Sequence, residues 1–188
     1  MNRRDALQMV AVMMGGLISA PTLAALTDGP LRAADAPGLN LTAEQENLLA
    51  EICETIIPAT DTPGAKDAQV EKFIVRLVSD CYPKEYQDRF MAGLDRVDRE
   101  SKALFGKPFT QAQPEQRVAL LKKEEANAYA DRKAGVKETP FFMMAKELTL
   151  FGFFTSEPGA TKVLDYQWVP GKYEGCIPLK PGQRAWAT

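Results

Sequence analysis

The sequence predicts an all-α protein, a small bundle of about five to six helices followed by an irregular aromatic C-terminal tail. Apolar side chains recur at helical spacing in successive segments of the chain. Capping residues, prolines and glycines stand at the ends of these segments, as they do at helix termini. Strand-like patterning is weak and confined to Tyr166–Val169. A length of 188 residues is typical of one domain.

The N-terminus has the layout of an export signal. A short basic head precedes an apolar stretch from Leu7 to about Leu26, and small residues follow. Arg3 and Arg4 stand directly before the apolar stretch, which indicates the twin-arginine route. Another cleaved signal or an uncleaved membrane anchor are the alternatives. We therefore assign residues 1–36 to a twin-arginine-type signal peptide and linker, and residues 37–188 to a single helical domain.

Two amphipathic helices are predicted after the linker. Thr42 suits an N-cap and Gln45 stands three residues later, as in a capping box, and Pro58 ends this helix. After a turn-rich loop at 58–68, a second helix is predicted from a stripe at helical spacing. The apolar positions of the two helices are Leu48, Leu49, Ile52, Cys53, Ile56 and Ile57, then Val70, Phe73, Ile74, Leu77, Val78 and Cys81.

The third and fourth helices are bounded by proline and glycine. Pro83 suits the first turn of the third helix, and Gly106 ends it. Pro114 begins the fourth. Their apolar positions are Tyr86, Phe90, Leu94, Val97 and Leu104 in the third helix, and Val118, Leu120 and Leu121 in the fourth.

The last predicted helix is apolar around much of its circumference. Thr139 suits its N-cap and Pro140 its first position, ahead of the run FFMMAKELTLFGFF. Such a helix is buried on most sides, so it is either the central helix or one whose second face a partner covers. The following segment, TSEPGA, predicts a helix stop and a new helix start.

Composition excludes several classes of function. The chain contains no histidine, which removes Ser-His-Asp and Cys-His catalysis, histidine-ligated haem and most catalytic zinc sites. It lacks the glycine-rich nucleotide motifs GxxxxGK[ST] and GxGxxG. A net charge of −2 without a basic cluster argues against nucleic acid. We therefore expect no catalytic residue, no cofactor-binding residue and no metal site in this chain.

The three cysteines are an odd number for an exported protein, which suggests a leftover thiol or an intermolecular bridge. Cys53 and Cys81 fall on the apolar faces of their helices, so we expect both to be buried. Cys176 lies in the segment YEGCIP and is expected to be exposed. Two alternatives are open for Cys176. It forms a disulfide with a partner chain, or it is a free or intramolecularly paired thiol.

The C-terminal tail carries four large aromatic residues among glycines and prolines: Tyr166, Trp168, Tyr173 and Trp186. So irregular a segment cannot bury four rings by itself, and Tyr and Trp are enriched at interface hot spots. Together with Phe153 and Phe154 at the end of the last helix, these residues are the predicted partner interface. The alternative is that the tail packs back on its own bundle.

The sequence contains the block IIPATDTPGAKDAQVEKFI at 56–74 and, much later, the block LTLFGFFTSEPGATKVLDYQWVPGKYEGCIPLKPGQRAWA at 148–187. Together these two blocks resemble the gluconate 2-dehydrogenase subunit 3 family. The resemblance implies a non-catalytic small subunit of a periplasmic dehydrogenase for a sugar or polyol. It would bind a large FAD-dependent subunit of the glucose-methanol-choline type, aid its maturation and carry it through the twin-arginine pore.

The resemblance also bears on further partners. In many such complexes a multihaem cytochrome c subunit accepts the electrons, and contact with a membrane is indirect, through the complex. Two alternatives remain open. One is an export chaperone that leaves after delivery. The other is a stand-alone periplasmic enzyme that uses Glu157 or Asp165 with Asp61 as a pair of carboxylates, since glycoside hydrolysis needs two. Glu147 is a further candidate, but an acid in a buried helix more commonly pairs with lysine or caps a neighbouring helix.

Overall fold

A computed structural model of the chain describes residues 39–169, 171, 175–178 and 180–187. In this part the protein is a bundle of five α-helices, which confirms the predicted all-α class. The helices are α1 (Ala43–Ile56), α2 (Val70–Cys81), α3 (Lys84–Phe105), α4 (Pro114–Lys133) and α5 (Phe141–Phe154). Arg3, Arg4 and Tyr173, which the sequence singled out, lie outside the described residues.

Short elements complete the fold. A 3-10 turn at Phe109–Gln111 joins α3 to α4, and a π-helical turn at Gly159–Val163 follows α5. Strands β1 (Asp165–Tyr166) and β2 (Trp186–Ala187) pair in parallel as a minimal two-stranded sheet. The weak strand signal predicted at residues 166–169 therefore corresponds to a real but shorter strand.

Helix α5 packs against each of the other four helices, as α1 also does. Eight of its 14 residues are buried, so it is the central helix of the bundle. Glycines allow two of these close approaches. A Cβ atom at Gly93 of α3 would lie 2.3 Å from the side chain of Phe141, and one at Gly152 of α5 would lie 2.7 Å from the Phe73 ring. The largest fully buried side chains are Phe90, Phe109, Phe153, Leu49, Ile52, Ile74, Leu94, Leu120, Met144, Val70, Val78 and Val97.

The helix ends follow the predicted signals with small shifts. Thr42 caps α1 in a capping box with Gln45, and Gly106 ends α3 at a φ of 68°, as predicted. Pro114 is the first residue of α4. Pro83 and Pro140 stand at the N-cap positions, one residue before the helices that they were expected to begin, so Thr139 is not the cap of α5. Their ψ angles of 156° and 149° are extended, which suits an N-cap rather than a helical residue.

Three apolar positions are more exposed than the sequence predicted. Leu104 is 54% exposed because the chain reverses at Gly106 and buries Phe109 against α1 and α3. Val118 of α4 is 38% exposed. Cys81 is exposed because it is the last residue of α2, one turn beyond the buried Val78.

Candidate functional site

The central helix leaves one face open. Met143, Glu147, Leu150, Phe151 and Phe154 are separated by four, three, one and three residues, so they lie on one side of α5. We call this set the α5 stripe. Phe151 is 53% exposed, and Leu150 and Phe154 are each 38% exposed. The sequence left two arrangements open for this helix, a central position or a second face that a partner covers. The helix is central, and in addition part of its surface is exposed.

A groove flanks the α5 stripe on each side. The groove towards α4 has a volume of about 530 Å³, and its lining includes Tyr129, Val136, Met143 and Leu150. The groove towards α2 has a volume of about 500 Å³ and is lined by Leu77, Cys81, Tyr82, Glu147, Leu148 and Phe151. Glu147 lines both grooves, so the stripe is a ridge between two depressions.

Phe153 corrects the predicted interface. Its side chain is only 1% exposed, and it stands edge-to-face with Phe154 at a centroid separation of 5.3 Å. The two rings point in different directions because consecutive helical residues are about 100° apart. Phe153 therefore contributes to the core, while Phe154 belongs to the exposed stripe.

The Ser156 hydroxyl links the end of α5 to the turn that follows it. The hydroxyl of Ser156 donates to the carbonyl oxygen of Phe153 at 2.6 Å and accepts from the amide of Gly159 at 3.2 Å. A Cβ atom at Gly159 would lie 2.0 Å from the Phe153 oxygen, so only glycine fits. The predicted helix stop and restart in TSEPGA is thus confirmed as a structural turn that directs the tail.

The tail folds back on itself through backbone contacts. The amide of Asp165 donates to the carbonyl of Ala185, and that of Gln167 to Ala187, both at 2.8 Å. The rings stay in solvent: Tyr166 is 46%, Trp186 51% and Trp168 83% exposed. The structure therefore contradicts the alternative in which the tail packs these three rings against the helical bundle.

The cysteines have different surroundings, and all three are free thiols. Cys176 is exposed, as predicted, whereas Cys81 is exposed against expectation and lines the groove beside Phe151. Cys53 is fully buried, and the hydroxyl of Thr149 lies 3.4 Å from its sulfur. Burial raises the pKa of Cys53 to about 12, so this thiol stays protonated near neutral pH.

The acidic residues considered for catalysis are not brought together in the two grooves beside the α5 stripe. Glu147 lines the two grooves of the α5 stripe, and neither of these includes Asp61, Glu157 or Asp165. Asp61 accepts a hydrogen bond from its neighbour Thr60 at 2.9 Å. Within the described ranges, no cluster of three or more His, Cys, Asp or Glu side chains is arranged to hold a metal ion.

Glu54 organises the loop at 58–68, a role that the sequence analysis missed. One carboxylate oxygen accepts from the amide of Ala59 and the other from the amide of Lys66, both at 2.9 Å. A Cβ atom at Gly64 would lie 2.5 Å from the first oxygen. The only sequence signal was an acidic residue in the last turn of α1, ahead of a turn-rich loop.

None of the helices in the described part of the chain has both the length and the hydropathy that a membrane crossing requires.

Comparison with known proteins identifies the bundle. The family model described as gluconate 2-dehydrogenase subunit 3 matches residues 43–171, from the first residue of α1 to beyond β1. The matched part includes the α5 stripe, the Glu54 loop and Trp168, while Cys176 and Trp186 lie outside it. No curated protein and no solved structure matches the chain. Because the family match covers every helix of the bundle, the chain belongs to the gluconate 2-dehydrogenase subunit 3 family.

Proposed function

We propose that the chain is the non-catalytic small subunit of a FAD-dependent sugar or polyol dehydrogenase complex. It binds the flavoprotein subunit, of the glucose-methanol-choline type, through the α5 stripe and the aromatic tail. Membership of a family of dehydrogenase subunits implies a complex with a dehydrogenase subunit. The observation that supports this mode of binding is the exposure of Leu150, Phe151 and Phe154 on the helix that otherwise forms the centre of the core.

The α5 stripe has the properties of a docking ridge. Burying a fully exposed large apolar side chain contributes about 1.5–3 kcal/mol. Leu150, Phe151 and Phe154 are 38–53% exposed, so each contributes roughly half of that when a partner covers it. The grooves on either side accept side chains from the partner, as ridges and grooves do when helices pack. Central aromatic residues beside pockets are the usual hot spots of protein interfaces.

The tail adds a second contact region. Tyr166, Trp168 and Trp186 are exposed, and the pairing of β1 with β2 fixes the backbone at two of these rings before any partner binds. A preordered segment loses less conformational entropy on association, which favours affinity. The exposed Cys176 lies in the same tail and suits a disulfide to the flavoprotein in an oxidising compartment.

In this proposal the FAD and the substrate pocket belong to the partner, so this chain supplies no catalytic group. Its paired Arg3 and Arg4 direct the folded complex through the twin-arginine route to the periplasm, and the chain supports maturation of the flavoprotein before export. A multihaem cytochrome c subunit accepts the electrons in complexes that contain one. Contact with the membrane is then made through that complex.

The test is an affinity pull-down of the tagged protein from its native periplasm. The eluate is examined by its flavin absorption spectrum and by mass spectrometry. A flavoprotein in stoichiometric amount supports the proposal. A colourless protein that elutes alone contradicts it. If the two chains separate on a denaturing gel only after reduction, and Cys176→Ser removes that behaviour, the disulfide is established as well.

A further inference from the structure

The two strands of the tail carry aromatic rings on opposite faces. In their parallel register Asp165 lies beside Trp186, and Tyr166 lies beside Ala187. Residues paired across two strands point to the same face of a sheet, and successive residues along one strand point to opposite faces. Tyr166 and Trp186 therefore project from opposite sides of the tail.

Both of these faces are open to solvent. Tyr166 is 46% exposed and Trp186 is 51% exposed, so about half of each ring is available to a partner. The principal neighbours of β1 in the described part of the chain are β2 and the π-helical turn, and no α-helix is a principal neighbour of either strand. A flat partner surface can cover one of the two rings, and it leaves the other in water.

The arrangement of the rings is fixed by backbone hydrogen bonds. The amides of Asp165 and Gln167 donate to the carbonyls of Ala185 and Ala187, which sets the register. The side chain of Arg184 donates to the carbonyl of Lys162 at 2.7 Å and ties the segment before β2 to the π-helical turn. Both rings cannot turn to one side unless this register is broken. A partner that buries both must therefore reach both faces.

The tail also carries an excess of positive charge. Residues 160–188 contain four cations and two carboxylates. Lys162, Lys180 and Arg184 are exposed, and none of them forms an ion pair with another residue that the structure describes. Protein surfaces that bind each other have complementary potentials, so carboxylates on the partner suit this segment.

We infer that the tail enters an acidic cleft of the flavoprotein subunit, with one wall over Tyr166 and the other over Trp186. The inference rests on the proposed function and adds the shape and the charge of the partner's site. The two rings are the apolar anchors inside the cleft, because aromatic side chains in desolvated pockets carry most of the binding energy of an interface. Carboxylates at the mouth of the cleft lie near Lys162, Lys180 and Arg184.

Each face can be given a reporter of its own, because the chain has only two tryptophans, Trp168 and Trp186. A chain with Trp168→Phe, labelled with 5-fluorotryptophan, reports on Trp186 by 19F NMR. A second labelled chain with Tyr166→Trp, Trp168→Phe and Trp186→Phe reports on the opposite face. Each full-length chain is mixed with unlabelled flavoprotein subunit from the pull-down. A soluble gadolinium chelate then measures how far solvent reaches the labelled ring.

We expect the complex to reduce the gadolinium effect at least about threefold at both reporters, because interface anchors are fully desolvated. The control carries Leu104→Trp in a chain with both native tryptophans changed to Phe. Leu104 lies on α3 and is 54% exposed, so its reporter should stay accessible. Protection of one face only, or of neither, in a complex that has formed overturns the inference alone. If size-exclusion chromatography shows no complex, the proposed function fails, and the inference fails with it.

A second measurement needs no label, so it keeps the test decisive if the Tyr166→Trp chain does not fold. Tyr166→Ala and Trp186→Ala should each weaken binding of the flavoprotein at least about tenfold, as expected for two anchors. A flat interface would leave one of the two variants with unchanged affinity, and that result also overturns the cleft.

The acidic character of the cleft is tested by the rate of association. Lys162→Gln combined with Lys180→Gln should slow association at low salt at least about threefold and reduce its salt dependence. Lys107→Gln combined with Lys122→Gln is the matched control, because both lysines are exposed and lie outside the tail. Equal rates in the two double variants would contradict an acidic cleft. Protection of both reporters by phosphatidylglycerol vesicles, but not by the flavoprotein, would assign the tail to a lipid surface instead.

Discussion

The ring of Phe151 on α5 lies 5.7 Å from the ring of Phe73 on α2, with an angle of 56° between the ring planes. Phe73 is partly buried against the core, and Phe151 is 53% exposed. Aromatic pairs at this separation and tilt attract each other by about 0.5–1.5 kcal/mol, so the contact with Phe73 favours one orientation of the exposed ring. A ring held in place before association is well suited to serve as an anchor for a partner.

Phe151→Ala should therefore weaken the complex more than it weakens the fold. We expect a loss of about 2 kcal/mol or more in binding free energy, as for a hot-spot aromatic residue. Leu104→Ala is the matched control, because Leu104 on α3 is 54% exposed but lies outside the α5 stripe. Dissociation constants for the copurified flavoprotein subunit, measured by calorimetry beside melting temperatures, check this. Equal losses of binding in the two variants would rule out a specific role for the stripe.

Gly64→Ala should destabilise the protein through the Glu54 loop. The new Cβ atom would lie 2.5 Å from one Glu54 oxygen and 2.6 Å from the amide nitrogen of Ala59, so their mutual hydrogen bond must break or shift. Leaving such a group without its partner costs about 1–3 kcal/mol. Gly171→Ala serves as the control, because a Cβ atom there has no neighbour within 4 Å among the described residues. Urea denaturation should separate the two variants, and equal midpoints would contradict the role given to Glu54.

The sequence predicts the helices well because their ends depend on local chemistry. Thr42, Gly106 and Pro114 each begin or end the helix turn in which they stand. Their effect does not depend on the rest of the fold, so the sequence alone locates these helix ends. Which apolar residues stay exposed depends on where neighbouring elements end. Leu104 and Cys81 have the right spacing for the core, yet none of the described elements covers them.

The candidate site illustrates the same limit. Phe153 and Phe154 are adjacent and chemically identical, and the packing of α5 alone decides that the first is buried. The grooves on either side of the α5 stripe are formed by residues from different helices, so their lining cannot be read from any one segment. Glu54 was missed for a similar reason, because its two amide donors lie in a loop whose path only the fold defines.

Cys53 should make the stability of the protein depend on alkaline pH. Its pKa is about 12 in the folded state, compared with a reference value of 9.0, and the main cause is burial. As the pH rises above 9, the unfolded state loses this proton while the folded state keeps it. The free energy of unfolding therefore falls between pH 9 and 12.

The measurement is urea denaturation at several pH values in that range. Cys53→Ala should reduce the pH dependence, whereas Cys81→Ala, which changes an exposed thiol, should not. Tyr86 also titrates there, since burial raises its pKa to about 12, so both variants are compared in a Tyr86→Phe background. An unchanged slope in Cys53→Ala would mean that Cys53 does not carry the effect.

Replacing both Arg3 and Arg4 by lysine should retain this chain and its flavoprotein partner in the cytoplasm. The twin-arginine pathway recognises the arginine pair, and in the proposed function the flavoprotein travels with this chain. Cell fractionation with immunodetection of both subunits measures the outcome. A general secretory signal requires only a basic head, so normal export of the double lysine variant would indicate that route. Export of the flavoprotein alone would show that it carries its own signal.

Deleting residues 165–188 should abolish binding of the flavoprotein while leaving the helices largely intact. The deletion removes the three exposed rings of Tyr166, Trp168 and Trp186 together with Cys176. The tail's hydrogen bonds run within the tail and, from Arg184, to the carbonyl of Lys162 in the π-helical turn, so the described bonds leave the five α-helices untouched. Helix content is followed by circular dichroism and binding by the pull-down described above. A matched variant, Trp168→Ala in the full chain, should weaken binding without abolishing it, because the other two rings remain. If the truncated protein still retains the flavoprotein, the tail is not an interface and the α5 stripe alone must carry the contact.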